Sequence, residues 1–243
     1  HYQLPPTIKS IEAAKQGLEE TLFSKGMQHQ PEASVMLETQ YRMHPAIMGF
    51  SSKYFYNDGL KVAESIKQRP IEFEIPIEFI DTAGAGFEEQ LKEETLSTFN
   101  RDEAIFLGKF MGNELPMNMT VGVIAPYKAQ IEIIEGIINR SDKIAPIRAN
   151  ITVNTVDAFQ GQERDVMYIS LVRSNTKGVI GFLKEYRRMN VAMTRARHRL
   201  VLLGDSATLG SDPFFSEMLD YIQKHGRHSS VFEYNDAYAP DVN

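Results

Sequence analysis

Cysteine is absent from the 243 residues, which excludes disulfides, thiolate metal sites and a cysteine nucleophile and fits a reducing compartment. No apolar run approaches the ~20 residues that a membrane-spanning helix requires, and the opening HYQLPPTIKS lacks the order of a signal peptide. A soluble, cytoplasmic protein with no membrane partner is therefore expected. No G-x-x-x-x-G-K-[ST] phosphate loop occurs, nor an apolar strand ending in paired carboxylates suited to magnesium. Positive charge is also short: the formal net charge of −6 argues weakly against coating nucleic acid by bulk electrostatics. The distribution is uneven, however. FEEQLKEE (87–94) is acidic, whereas LKEYRRMNVAMTRARHR (183–199) is strongly basic.

What is present points to an α/β protein. The length suits one large domain or a domain with a subdomain, and the 42% hydrophobic fraction is ample for a core. SVMLE, IEFID, TVGVIAP, NITVNTV, DVMYISLV and RLVLLGD are short apolar runs rich in β-branched residues, mostly continuous, as strands covered on both faces are. Between them lie helical patterns. NRDEAIFLGKFMGNE starts at an Asn100 cap with Glu103 three residues on, the spacing of a capping box. YKAQIEIIEGIINR carries Ile131, Ile134 and Ile138 on one stripe, and DPFFSEMLDYIQKHG is stopped by Gly226. An earlier amphipathic pattern, IEAAKQGLEETLFSKG, is expected to stop at Gly26. Alternation of strands and helices predicts a parallel sheet with helices on both faces. TAGAGFEEQLKEETLSTFN is expected to be a mobile surface loop, and HSSVFEYNDAYAPDVN a tail without periodicity. QLPPT has no preceding strand and there is no initiator methionine, so residue 1 is read as a cut inside a longer protein.

Strand ends are where such sheets place ligands. Three runs end in APYKAQ, TVDAFQGQERD and SLVRSN, delivering polar residues to one edge. Each has a structural reading too: Pro126 and Tyr127 as a strand terminator and a half-buried aromatic, Asp157 as the cap of the turn AFQG. On a helix from Glu185, Met189, Ala192, Met193 and Ala196 form an apolar stripe, while Arg188 and Arg195 project from another face. Upstream, TQYRMHP puts Arg42 just past an apolar run. Guanidinium forks suit phosphate oxygens, and two arginines on a common rim suit charge on a transferred γ-phosphoryl group. With no phosphate loop in the chain, that loop is expected on another domain.

QLPPT, QYRMHPAIMGFSSKYFYNDGL, APYKAQ, TVDAFQGQERD, SLVRSN, GFL and RRMNVAMTRAR occur in the order found in a known family. They resemble the second RecA-like domain of superfamily 1 helicases, in the branch of the nonsense-mediated-decay helicase, the immunoglobulin mu-binding helicase and senataxin. The resemblance runs from Gln3 to about Asp205. It implies a RecA-like (P-loop NTPase type) parallel sheet at 35–226, preceded by a segment at 1–34 that follows a truncated first RecA-like domain and followed by a tail at 227–243.

The resemblance further implies roles for single residues. Gln3 resembles a γ-phosphate sensor, Tyr41 the aromatic stacked on adenine, Arg42 an arginine on the γ-phosphate and Arg195 the arginine finger. Gly161 and Glu163 match positions near the nucleotide's phosphate and ribose. Pro126, Tyr127, Thr155 and Ser174 are similar to positions that touch the nucleic-acid backbone or the loop holding it, contacts that carry little sequence preference. ATP and Mg2+ are the implied cofactors, both bound mainly by the first RecA-like domain. The implied partners are that domain and single-stranded DNA or RNA. The chain alone is expected to be inactive in ATP hydrolysis. A nucleic-acid-binding scaffold without turnover, or the helicase part of a helicase-nuclease, remain alternatives.

Overall fold

The computed structural model describes Glu12, residues 21–234 and Ala237. In chain order the elements are α1 (Leu22–His29), β1 (Thr39–Gln40), α2 (Pro45–Tyr56), β2 (Lys61–Val62), α3 (Glu64–Lys67), β3 (Ile77–Asp81), β4 (Gln90–Lys92), β5 (Ser97–Phe99), α4 (Arg101–Glu114), β6 (Val121–Ile124), α5 (Lys128–Arg140), β7 (Ile151–Asn154), β8 (Arg164–Ser170), α6 (Tyr186–Met193), β9 (Ala196–Gly204), α7 (Ser206–Leu209), α8 (Pro213–His225) and β10 (Arg227–Ser230).

The main sheet has six strands in the order β10-β3-β9-β8-β6-β7, every neighbouring pair parallel. The continuous apolar runs are explained by its two covered faces. Met167, Ile169, Leu200 and Leu202 enter one core with residues of α2, α6 and α8. Val166, Tyr168, Val201 and Leu203, the alternate positions, enter a second core with α4 and α5. The expected α/β architecture with helices on both faces is what the chain adopts.

Several local expectations are corrected. SVMLE is not a strand, and Val35 and Leu37 are each 87% exposed; only Thr39–Gln40 pairs, with β2. Gly26 does not stop α1, which runs to His29 from an N-cap hydrogen bond by Thr21. Within the expected surface loop, β4 and β5 form an antiparallel hairpin. Arg227–Ser230, assigned to the tail, forms β10 on β3. Its polar residues conceal the strand because they serve a buried carboxylate: Glu78, 1% exposed, accepts from Ser229 Oγ (3.0 Å), from Tyr234 OH and from Arg199 (3.0 Å). Asn100 caps α4 as expected, accepting from Glu103 N at 3.0 Å, but the Glu103 side chain does not complete a capping box. It turns inward and accepts from Ser170 Oγ (2.6 Å) and Val172 N (3.1 Å).

Candidate functional site

The residues singled out from the sequence fall on two opposite edges of the sheet. Arg42, Glu163 and Arg195 gather at the amino ends of β8 and β9, because Glu163 and Arg195 immediately precede those strands. The turn TQYRM places Arg42 there. Gln40 Oε1 accepts from Arg42 N (2.8 Å) and Met43 N (2.7 Å), and its Nε2 donates to Met43 O (2.9 Å). That clamp sends Tyr41 outward, 68% exposed, and Arg42 inward. His44 then caps α2, accepting from Ala46 N, and its own amide donates to Arg197 O at 2.9 Å, tying the turn to β9.

The charges at this edge are unevenly paired. Arg42 Nε donates to Glu163 Oε2 at 2.6 Å, with NH1 on Thr194 O at 3.0 Å. Arg197 lies 3.6 Å from Glu163 and 3.0 Å from Asp165. Arg195 instead donates to three neutral acceptors: Val191 O (2.9 Å), Gln162 O (3.2 Å) and Thr194 Oγ1 (3.0 Å). Among the described residues no carboxylate forms an ion pair with it. Burial, then the neighbouring Arg42 charge, push its pKa down to about 10, so it stays a cation at neutral pH. Two backbone carbonyls and one hydroxyl fix its guanidinium, and Glu163, already bonded to Arg42, acts on it through its charge without a direct ion pair. Arg195 lies in the turn after α6, which ends at Met193, and so it does not share a helical face with Arg188 as expected. Gly161, exposed at φ +81° on the connection into β8, has the conformation that favours glycine.

Pro126, Tyr127, Thr155 and Ser174 collect at the carboxyl ends of β6, β7 and β8. Tyr127 is 5% exposed, so its ring face is not open to a base; it is a holding residue. Its hydroxyl accepts from Arg173 NH1 (3.1 Å) and Phe182 N (3.4 Å). Glu89, which the sequence reading passed over, accepts from Arg173 Nε (2.8 Å), Ser174 N (2.8 Å) and Asn175 Nδ2 (3.1 Å). The Ser174 hydroxyl donates to Asp205 Oδ2 at 2.9 Å. Val172, just before this loop, sits at φ +71°, strained for a β-branched residue, and is held there by Glu103 on its amide and Asn100 on its carbonyl (3.4 Å). Pro126 and Thr155 line a cleft of about 320 Å³ shared with Lys128, Asp157, Phe182 and Arg188. Arg188, 3.7 Å from Asp157, belongs to this edge rather than to the Arg42–Arg195 cluster. Gln3 lies outside the described residues. The sequence signal for Glu89 was the acidic run FEEQ, read only as loop.

Comparison with known proteins gives the family. The family described as "AAA domain" matches residues 18–207. The DNA-binding protein SMUBP-2 of Rattus norvegicus is 33% identical over 255 residues, covering 99% of this chain and 25% of that protein. The uncharacterized ATP-dependent helicase MJ0104 of Methanocaldococcus jannaschii is 36% identical over 237 residues, 91% of this chain and 34% of that protein. Helicase sen1 of Schizosaccharomyces pombe is 35% identical over 231 residues, 90% of this chain and 13% of that protein. The chain thus spans about a third or less of the length of these relatives. The matched family, the order of the motifs and the parallel sheet that carries them together make this chain a member of the superfamily 1 helicases, in the branch of the nonsense-mediated-decay helicase, the immunoglobulin mu-binding helicase and senataxin.

Proposed function

We propose that this chain is the second RecA-like half of an ATP-dependent helicase or translocase acting on single-stranded DNA or RNA in the cytoplasm. Its amino edge faces ATP held by a first RecA-like domain, and its carboxyl edge carries part of the single-strand path. The observation that carries the reading is the Arg195 guanidinium, aimed by three neutral acceptors and lacking a carboxylate partner among the described residues. The donor set fits a triphosphate: two guanidinium groups for its charge and the exposed Tyr41 ring for a base. Among the described residues no three His, Cys, Asp or Glu side chains gather as metal ligands do, so magnesium in this proposal is held by the first domain.

In this reading ATP is the substrate, and the chain binds and orients it. Arg42, kept rigid by Glu163 and Thr194 O, orients the terminal phosphate; Arg195 stabilises the charge that grows on it during transfer. Gln3 and Gly161 approach the same phosphates. At the other edge, Tyr127 and Ser174 hold the loop that, with Pro126 and Thr155, tracks the strand backbone. Closing and reopening of the cleft between the two domains moves the strand. The chain by itself is inactive in hydrolysis. The experiment is ATP hydrolysis by the intact protein with Arg195 replaced by alanine: turnover falls on the order of a thousandfold, and a rate near wild type refutes the reading.

A further inference from the structure

The carboxyl edge holds an aromatic ring that none of the roles above uses. Phe182 is 63% exposed at the lip of the 320 Å³ cleft. A single exposed aromatic needs no explanation in general; this one is distinguished by how firmly it is held. Ile180 and Leu183 on either side of it are buried in the core, 1% and 3% exposed. The Tyr127 ring lies beneath it, centroids 5.5 Å apart and planes at 51°. Its amide donates to the Tyr127 hydroxyl at 3.4 Å, the same oxygen that receives Arg173, which Glu89 fixes at 2.8 Å. Gly181 makes the approach possible. It stands at φ +55°, and a Cβ there would lie 2.4 Å from Arg173 NH1 and 2.7 Å from the Tyr127 hydroxyl. A ring immobilised before its ligand arrives loses little conformational entropy on binding.

The surroundings indicate what would cover it. The cleft is walled by Ile124, Pro126, Leu171 and Leu183 and has the volume of a small ligand pocket. Arg188 is 3.7 Å from Asp157, and Glu185 is paired with Arg187 at 2.7 Å, so those charges are internally matched. Lys128 on the lip and Lys184, two residues after Phe182 in the chain, are exposed and form no ion pair among the described residues. An apolar cleft with an exposed ring, one unmatched cation on its lip and a second close by in the chain, fits a flat heteroaromatic group flanked by phosphates.

We propose that Phe182 is a base-stacking platform that receives one unpaired base of the bound single strand, with Lys128 and Lys184 on the adjoining phosphates. The inference rests on the single-strand reading above and adds a base contact to a path otherwise made of backbone contacts. Stacking on an aromatic ring contributes about tenfold in affinity per base and is tolerant of sequence, because every base has a π-face.

The test uses the intact protein and an oligothymidylate of about fifteen nucleotides, each nucleotide in turn made abasic, with dissociation constants from fluorescence anisotropy at fixed salt. Wild type loses about tenfold at one abasic position. Phe182→Ala loses about tenfold on the complete strand and becomes indifferent to that position, while Phe182→Tyr behaves as wild type. With 5-iodouracil at that position, the photocrosslink maps to Phe182. If wild type binds but Phe182→Ala matches it within about twofold and keeps its abasic sensitivity, or the crosslink maps elsewhere, the platform is refuted and the single-strand reading stands. If wild type binds no strand, both fall.

Discussion

Glu103 gives the sharpest thermodynamic prediction. Its carboxyl is fully buried; Oε1 accepts from Ser170 and Val172 N, and Oε2 has no hydrogen-bond partner among the described residues. Burial raises its pKa from 4.5 to about 7, against the lowering effect of those hydrogen bonds. Between the two values the folded protein keeps a proton that the unfolded chain releases. The stabilisation is therefore complete below about pH 4.5 and is lost as pH rises towards 7. The gap corresponds to roughly 3 kcal/mol. Glu103→Gln keeps an oxygen for Ser170 and Val172 and removes the ionisation. Urea unfolding of both proteins across this range, to about pH 8, isolates the group, because every other titration cancels in the difference. The variant should gain on wild type by roughly 3 kcal/mol across the range, whatever constant offset its amide nitrogen introduces. Curves that run parallel within about 1 kcal/mol would refute the claim that a neutral Glu103 holds the strained Val172 turn.

Two further substitutions probe how the edges are built. Gly226→Ala places a Cβ 2.1 Å from Ile77 O, a backbone atom that cannot swing aside, so β10 must shift on β3; urea unfolding should show a loss of at least about 1–3 kcal/mol, and an unchanged midpoint would contradict the register. Tyr127→Phe leaves Arg173 NH1 and the Phe182 amide without their acceptor. A cost of about 1–3 kcal/mol is expected in the same assay, and a cost below about 0.5 kcal/mol would show that the hydroxyl does not hold the loop.

The central strands were legible because both faces of the sheet are covered. Their central stretches, LVLL (200–203) and VMYI (166–169), are then continuously hydrophobic, a pattern that single-sequence reasoning detects. β10 was not, because RHSS serves the buried Glu78 through Ser229 and Arg227 rather than an apolar core. SVMLE misled for the opposite reason: its apolar residues are exposed, and composition cannot report that. Motif order singled out Arg42, Glu163 and Arg195, which the fold brings to one edge, yet gave nothing of their geometry. Sequence placed Arg195 on a helix with Arg188, whereas Thr194 closes that helix through its hydroxyl on Asn190 O at 2.8 Å and the two arginines serve opposite edges. The links Glu89–Arg173 and Glu103–Val172 join residues far apart in the chain, and local pattern carries no trace of them.

The claim that Arg195 completes a phosphate site is tested most directly by separating ATP binding from turnover. The intact protein, Arg195→Ala and Arg195→Lys are compared for ATP affinity and for steady-state hydrolysis with saturating single strand. A guanidinium that meets charge developing only in transfer affects the rate far more than the binding. Both variants should bind ATP within about tenfold of wild type and turn over on the order of a thousandfold more slowly. Lysine should fail to rescue because it offers a point charge without the planar fork that Val191 O, Gln162 O and Thr194 Oγ1 orient. Turnover within about threefold of wild type in a folded Arg195→Ala protein would contradict the account.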